Sequence, residues 1–173
     1  NQLLDFRRME VQEFSYEPRE GDIVAFVRDI SYSFTDIAEK KNIHFSFSSA
    51  LTSLLLAFDT DKMEKILFNL LSNAYKFTPE GGEVAVQLAM EESQLGSLSN
   101  SPVLMIKVCD TGIGIPTNNH DKIFERFFQS EMPGNILNQG SGIGLAIVKE
   151  FVRLHQGSIS VESQVNMGST FTI

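Results

Sequence analysis

Apolar and polar positions change period several times along the chain, and each change marks an element. Leu3, Leu4, Phe6 and Met9 recur among Asp5, Arg7, Arg8 and Glu10 at helical spacing, so residues 1–12 read as the end of an amphipathic helix. Phe14, Tyr16 and Pro18 then alternate as in a strand. A turn at Glu20-Gly21-Asp22 leads into residues 23–41, where Ile23, Phe26, Val27, Ile30, Phe34, Ile37 and Ala38 keep the period of one helix. Ile43, Phe45 and Phe47 alternate with His44 and Ser46, and residues 54–58 form a short buried-strand candidate. A two-stranded unit is therefore expected after the first helix.

Asp59-Thr60-Asp61 supplies N-cap oxygens for a helix running to about Phe77, which Pro79-Glu80-Gly81-Gly82 stops with turn chemistry. Residues 83–90 and 102–109 read as paired strands across the polar stretch 91–101, to which no function is attached. A short helical piece at 121–128, a breaker-rich segment at 129–140 and a helix over about 141–155 follow. Residues 158–162 and 169–173 close the chain as strands around Asn166-Met167-Gly168.

With 173 residues, 42% of them hydrophobic, the chain can bury one sizeable core, and a single domain is expected. No apolar run approaches the length of a bilayer span. Twenty-two acidic residues against fourteen basic give a net charge of −8, which argues against a surface that neutralises many nucleic-acid phosphates. The one cysteine, Cys109, follows the apolar run 103–108 and reads as a small strand hydrophobe.

Three groups of residues carry candidate chemistry. On the helix over 61–77, at about 100° per residue, Asn69, Asn73 and Lys76 fall on one stripe opposite the apolar one. The stripe is either a solvated face or a site where amide oxygens meet Mg²⁺ and the ammonium meets phosphate. In Val108-Cys109-Asp110-Thr111-Gly112-Ile113-Gly114-Ile115-Pro116 a strand delivers an aspartate and two glycines permit close backbone approach. Asp110 is either a turn residue or an acceptor for the exocyclic amine of adenine. In Gly140-Ser141-Gly142-Ile143-Gly144-Leu145 glycines run into an apolar helix, as at an anion-binding N-terminus or a tightly packed helix start. No Gly-Lys-Ser/Thr occurs, which excludes a Walker A loop.

Read in order, Asn69-Leu70-Leu71-Ser72-Asn73-Ala74-Tyr75-Lys76-Phe77-Thr78-Pro79, Asp110-Thr111-Gly112-Ile113-Gly114-Ile115-Pro116, Phe124-Glu125-Arg126-Phe127-Phe128 and Gly140-Ser141-Gly142-Ile143-Gly144-Leu145 resemble the N, first glycine, F and second glycine boxes of sensor histidine kinases. Leu3-Leu4-Asp5-Phe6 is similar to the tail of that family's dimerisation helix, and Gly168-Ser169-Thr170-Phe171 to its closing strand. The resemblance implies an α/β (α+β) two-layer sandwich of the Bergerat ATP-binding type, shared with gyrase and the heat-shock and mismatch-repair ATPases. It would have a mixed, mostly antiparallel sheet of about five strands, a small N-terminal strand pair, and about three helices on one face. It also implies a division into a dimerisation-helix tail, 1–12, and an ATP-binding catalytic domain, 13–173, with a lid at about 129–140.

What the resemblance implies for the site is specific. Asn73, with Asn69, would hold Mg²⁺; Lys76 would meet the phosphates of ATP; Asp110 would read adenine with Gly112 and Gly114 giving it room. Phe77 and Ile115 would lie beside the nucleotide. The backbone of Gly140, Ser141, Gly142, Ile143, Gly144 and Leu145 would cradle phosphates, Thr170 would support Asp110 through water, and Arg126 would bring a cation to the transferred group. Gyrase-like ATPases carry a water-activating glutamate where Asn69 stands, and an amide takes no proton from water, so transfer is favoured over hydrolysis.

The expected activity is transfer of the γ-phosphoryl group to a histidine on a separate dimerisation domain. His44, His120 and His155 lack the His-Glu/Asp-x-x-x-Pro context of a phosphoacceptor, so the chain alone is not expected to phosphorylate itself. Expected partners are that phosphoacceptor domain and then a response-regulator receiver domain, within a homodimeric parent. The expected setting is the cytoplasmic side of a membrane-anchored sensor, with no nucleic-acid or membrane contact by this domain. The alternatives are a nucleotide-binding regulatory module without transfer activity and a gyrase-like ATPase.

Overall fold

The computed structural model describes residues 14–92, 102–128 and 141–173. The readings for the helical tail at 1–12, for most of the polar connection (93–101), and for the lid with Gly140 fall outside these residues. Among those described, strands are β1 (Arg19–Asp22), β2 (His44–Ser49), β3 (Leu55–Phe58), β4 (Glu83–Glu92), β5 (Pro102–Asp110), β6 (Ser160–Gln164) and β7 (Gly168–Thr172). Helices are α1 (Ile23–Tyr32), α2 (Thr35–Lys40), α3 (Thr60–Phe77) and α4 (Gly144–Leu154), with 3₁₀ turns at Thr117–Asn119 and Lys122–Phe124.

Five strands form one sheet in the order β2-β4-β5-β7-β6, parallel between β2 and β4 and antiparallel elsewhere, and β1 and β3 form a separate antiparallel pair. Val84, Val86 and Leu88 are buried while Ala85, Gln87 and Ala89 between them are not. This period-2 burial means that only one sheet face is covered. That face packs, through Val108, Ile106 and Phe171, into one core with Val24 and Val27 of α1, Ile66, Leu67, Leu70 and Leu71 of α3, and Ile147, Val148 and Phe151 of α4. Each such side chain contributes about 1.5–3 kcal/mol on leaving water. The expected two-layer sandwich is the observed one.

Six expectations need correction. Residues 14–18 form no strand; the first strand is β1, and Glu20-Gly21-Asp22 lies within it rather than in a turn. Asp22 instead caps α1, accepting from Val24 N and Ala25 N at 3.0 and 3.4 Å, and it also accepts from Leu54 N at 3.1 Å. The helix over 23–41 is two helices. Ser31, Ser33 and Thr35 turn their hydroxyls onto the carbonyls of Val27, Ile30 and Tyr32, which competes with the backbone ladder and ends α1. Fourthly, β2 and β3 do not pair with each other: β3 pairs with β1, and β2 joins β4 across the α3 crossover. Lastly, the piece at 121–128 is a single 3₁₀ turn, and the last helix begins at Gly144 rather than Ser141. Among the described residues no helix is long and apolar enough to cross a membrane.

Candidate functional site

Helix α3 begins on Asp59, whose Oδ1 accepts from Lys62 N at 3.1 Å while Oδ2 takes the Lys62 ammonium at 2.7 Å. Burial pushes the Asp59 carboxyl up, but the hydrogen bonds from Lys62 and from the Glu17 N–H outweigh it and hold the group below its ordinary value. From this fixed start the apolar stripe turns inward, and Asn69, Asn73, Lys76 and Phe77 lie half-buried on its flank rather than on a fully solvated face. Asn69 commits its amide N–H to Lys65 O at 2.7 Å. Asn73 makes no side-chain hydrogen bond among the described residues, so its amide is open to a ligand. The Lys76 ammonium sits 4.8 Å from the centre of the Phe77 ring, and burial holds its pKa below the ordinary lysine value.

The C-terminal end of α3 meets the glycine loop. Ile113 N–H donates to Phe77 O at 3.3 Å, and a Cβ on Gly112 would stand 2.6 Å from that same carbonyl oxygen. Gly114 adopts φ +69°, and a Cβ there would stand 2.0 Å from Gln164 O. The two glycines are thus required by the protein's own backbone, which wedges the loop between α3 and the β6–β7 turn. Asn166 N–H closes that contact onto Ile113 O at 2.7 Å. Ile115 is held at both ends of its main chain: its N–H donates to Ser163 Oγ at 2.8 Å, and its carbonyl accepts from His120 Nε2 at 3.1 Å.

Asp110, the last residue of β5, points into the helical layer with Val108 and Ile106. Loss of solvent pushes its carboxyl up to about 6, against hydrogen bonds from the Gly112 and Ser169 N–H groups that pull it down. Oδ1 takes the Gly112 N–H at 2.8 Å. Thr170 pairs with Cys109, so its side chain lies on the opposite sheet face, whereas the residue paired with Asp110 is Ser169, 7% exposed. Ser169 is a site residue that periodicity alone did not single out. Its signal was the alternation of the closing strand, which fixes faces only once the register with β5 is known.

The second glycine box leads into α4 through Gly142 and Ile143, and no side chain caps the first turn of that helix. The free N–H groups and positive dipole end of such a helix start are suited to an anion; Gly144 and Leu145 there are half-buried and Ser141 is exposed. Phe127 N–H donates to Gly142 O at 2.9 Å, which ties the F box to this box, and Phe124 meets the Phe171 ring edge-on at 6.4 Å. Arg126 is exposed on the same turn. Backbone hydrogen bonds therefore join the end of α3, the Asp110 loop and the β6–β7 turn, while the start of α4 is tied to the F box.

Two of the three imidazoles are engaged in the fold. His44 is exposed at the start of β2, and His120 holds the glycine loop. His155 donates from Nδ1 to Phe151 O at 2.8 Å and accepts the Asp59 N–H on Nε2 at 3.2 Å. Among the described residues no group of three or more His, Cys, Asp or Glu could hold a metal ion, and the asparagines of α3 make a neutral set of amides. Such a set fits Mg²⁺ only when phosphate oxygens bring the negative charge.

Residues 58–173 match the family model described as histidine kinase-, DNA gyrase B- and HSP90-like ATPase. Over its full length the chain is 42% identical to the sensor histidine kinase TmoS of Ectopseudomonas mendocina, of which it spans 17%. A nucleotide-free catalytic domain of the histidine kinase ThkA superposes with a TM-score of 0.73 at 26% identity, covering 90% of this chain and 93% of that one. Full-length ShkA in complex with AMPPNP superposes with a TM-score of 0.80 at 25% identity, covering 99% of this chain and 34% of that one. The chain spans between 11 and 20% of the length of the curated relatives it matches.

Proposed function

Because the chain belongs to the histidine kinase-, DNA gyrase B- and HSP90-like ATPase family, we propose that it holds Mg·ATP for transfer of the γ-phosphoryl group to a histidine on a separate dimerisation domain. The observation that carries this reading is the desolvated Asp110 carboxylate beside a loop bolted to the asparagine helix. With one oxygen taken by Gly112 N–H, Asp110 offers acceptor capacity to the exocyclic amine of adenine, where guanine would present a repelled oxygen. The phosphates then run toward Lys76 and the uncapped first turn of α4. Asn73, with Asn69, would hold Mg²⁺, whose bound charge would screen the phosphate oxygens against each other.

Catalysis in this reading consists of positioning and electrostatics. The imidazole nitrogen of the acceptor attacks the γ-phosphorus, the bond to the bridging oxygen breaks, and ADP leaves. Asn69 has no basic site to activate water, which separates this chemistry from steady hydrolysis. Arg126 and residues 129–140 would close over the transferred group. The parent is a homodimeric sensor whose anchor lies in other segments, whose own dimerisation domain accepts the phosphoryl group and whose next partner is a response-regulator receiver domain.

Calorimetric titration of ATP with and without Mg²⁺ tests the site map. Asn73→Ala is expected to abolish the Mg²⁺-dependent part of the affinity while leaving the Mg²⁺-free part within about threefold. An unchanged Mg²⁺ effect in that variant would reject the assignment.

A further inference from the structure

Ser163 lies outside all four sequence boxes, yet its hydroxyl is the most connected polar side-chain atom beneath the loop. Its Oγ accepts from Ile115 N–H at 2.8 Å, donates to Gly168 O at 2.7 Å, and stands 3.0 Å from Ser169 Oγ. A hydroxyl has one proton. Since that of Ser163 goes to Gly168 O, the Ser169 hydroxyl is the donor in the serine pair, and its lone pairs are all it can offer elsewhere. Ser163, Ser169 and Asp110 are cross-strand partners across β6, β7 and β5, so they stand in one row on one sheet face.

We infer that Ser163 is a positioning residue for nucleotide selectivity: by fixing the Ser169 proton away from Asp110, it makes the wall around the base an acceptor wall only. A base that donates at the six-position, as adenine does, is matched by carboxylate and serine oxygen together. A 6-oxo purine meets acceptors alone and is rejected. Without the Ser163 oxygen, the Ser169 hydroxyl is free to rotate and donate to an oxo group, and Ile115 N–H loses its acceptor. The inference rests on the reading of Asp110 as the base-recognising group.

The test compares ATP with inosine triphosphate, which exchanges only the exocyclic amine for an oxygen, in calorimetric titrations of the folded chain. Ser163→Ala is expected to reduce the ATP preference about tenfold, with part of the change appearing as tighter binding of inosine triphosphate. Ser163→Val and Ser163→Thr share a shape and differ in the hydroxyl, so Thr should keep the preference and Val should lose it. A purely structural role would weaken both nucleotides alike and leave the ratio untouched.

Retention of the wild-type ratio within twofold in Ser163→Ala or Ser163→Val overturns the role of Ser163 while sparing that of Asp110. Loss of the ratio in Ser163→Thr as well as in Ser163→Val also overturns it, because the hydroxyl would not be the cause. Absence of any ATP preference in the unaltered chain removes the base-recognition reading, and this inference with it.

Discussion

A carboxyl whose pKa is pushed up to about 6 by desolvation is an acid poised to titrate near neutrality, and Asp110 is such a group. Its ionised form is the one that accepts from an adenine amine, so ATP affinity should be full above about pH 7 and fall as pH drops through 6. Isothermal titration across that range checks it, and Asp110→Asn should remove the pH dependence along with most of the adenine preference. The linkage to stability has the opposite sign from that of a salt-bridged acid. The folded state binds the Asp110 proton more tightly than the unfolded state, so between about pH 4 and 6 stability declines as pH rises. Asp110→Asn should therefore stabilise the nucleotide-free chain at pH 7, by roughly 1–2 kcal/mol after allowance for its partial exposure.

Tyr75 carries a second residue-scale prediction. It is 2% exposed and stacked on Phe34 at 5.6 Å, and its hydroxyl lacks a hydrogen-bond partner among the described residues. Burial pushes its pKa to about 12, in keeping with an environment hostile to charge. Tyr75→Phe removes the unsatisfied oxygen and keeps the ring, so it should raise unfolding stability by about 1 kcal/mol in denaturant titration. A loss of stability would mean that the hydroxyl has a partner.

Among the elements, α3 bears the most. Asp59 is 3% exposed and Lys62 7%, and the two are joined at 2.7 Å where the helix starts. Asp59→Ala removes the N-cap, strands a buried ammonium and frees the Glu17 N–H, for an expected loss of about 3–5 kcal/mol by thermal or chemical denaturation. Asp59 is held below its ordinary value, so its stabilisation is present above about pH 4 and disappears as pH falls through its folded-state value. The same pH titration on Asp59→Ala should lack that acid limb.

The long helices and the alternating strands were legible because burial on one side imposes a period of 3.6 or 2 on the residues that do the burying. What periodicity left hidden were pairings and interruptions. Phe34 keeps its place in the apolar stripe across the break between α1 and α2, because the break is made by three hydroxyls on carbonyls, not by a change in hydrophobicity. The parallel partnership of β2 with β4 arises from the α3 crossover, which no local pattern encodes. At the site, Asp110 and the asparagine stripe stood out by residue type and spacing. Ser163 and Ser169 did not, because serines in a strand acquire meaning only from the register that aligns them with Asp110.

At the scale of the whole molecule, one core supports a cluster of loops at the same end of the sheet. The end of α3, the Asp110 loop, the β6–β7 turn and the start of α4 are joined by backbone contacts or the common core, so the site forms with the fold. All three histidines are engaged in the fold or sit on its surface, apart from any phosphoacceptor context. In the proposed function this domain passes on a phosphoryl group that it does not keep. The most direct test is incubation with γ-labelled ATP and Mg²⁺, with and without the separately prepared dimerisation domain of the parent protein. Acid-labile, alkali-stable label is expected on the dimerisation domain's histidine and none on this chain. Stable label on this chain, or steady phosphate release without any acceptor, would overturn the proposed function.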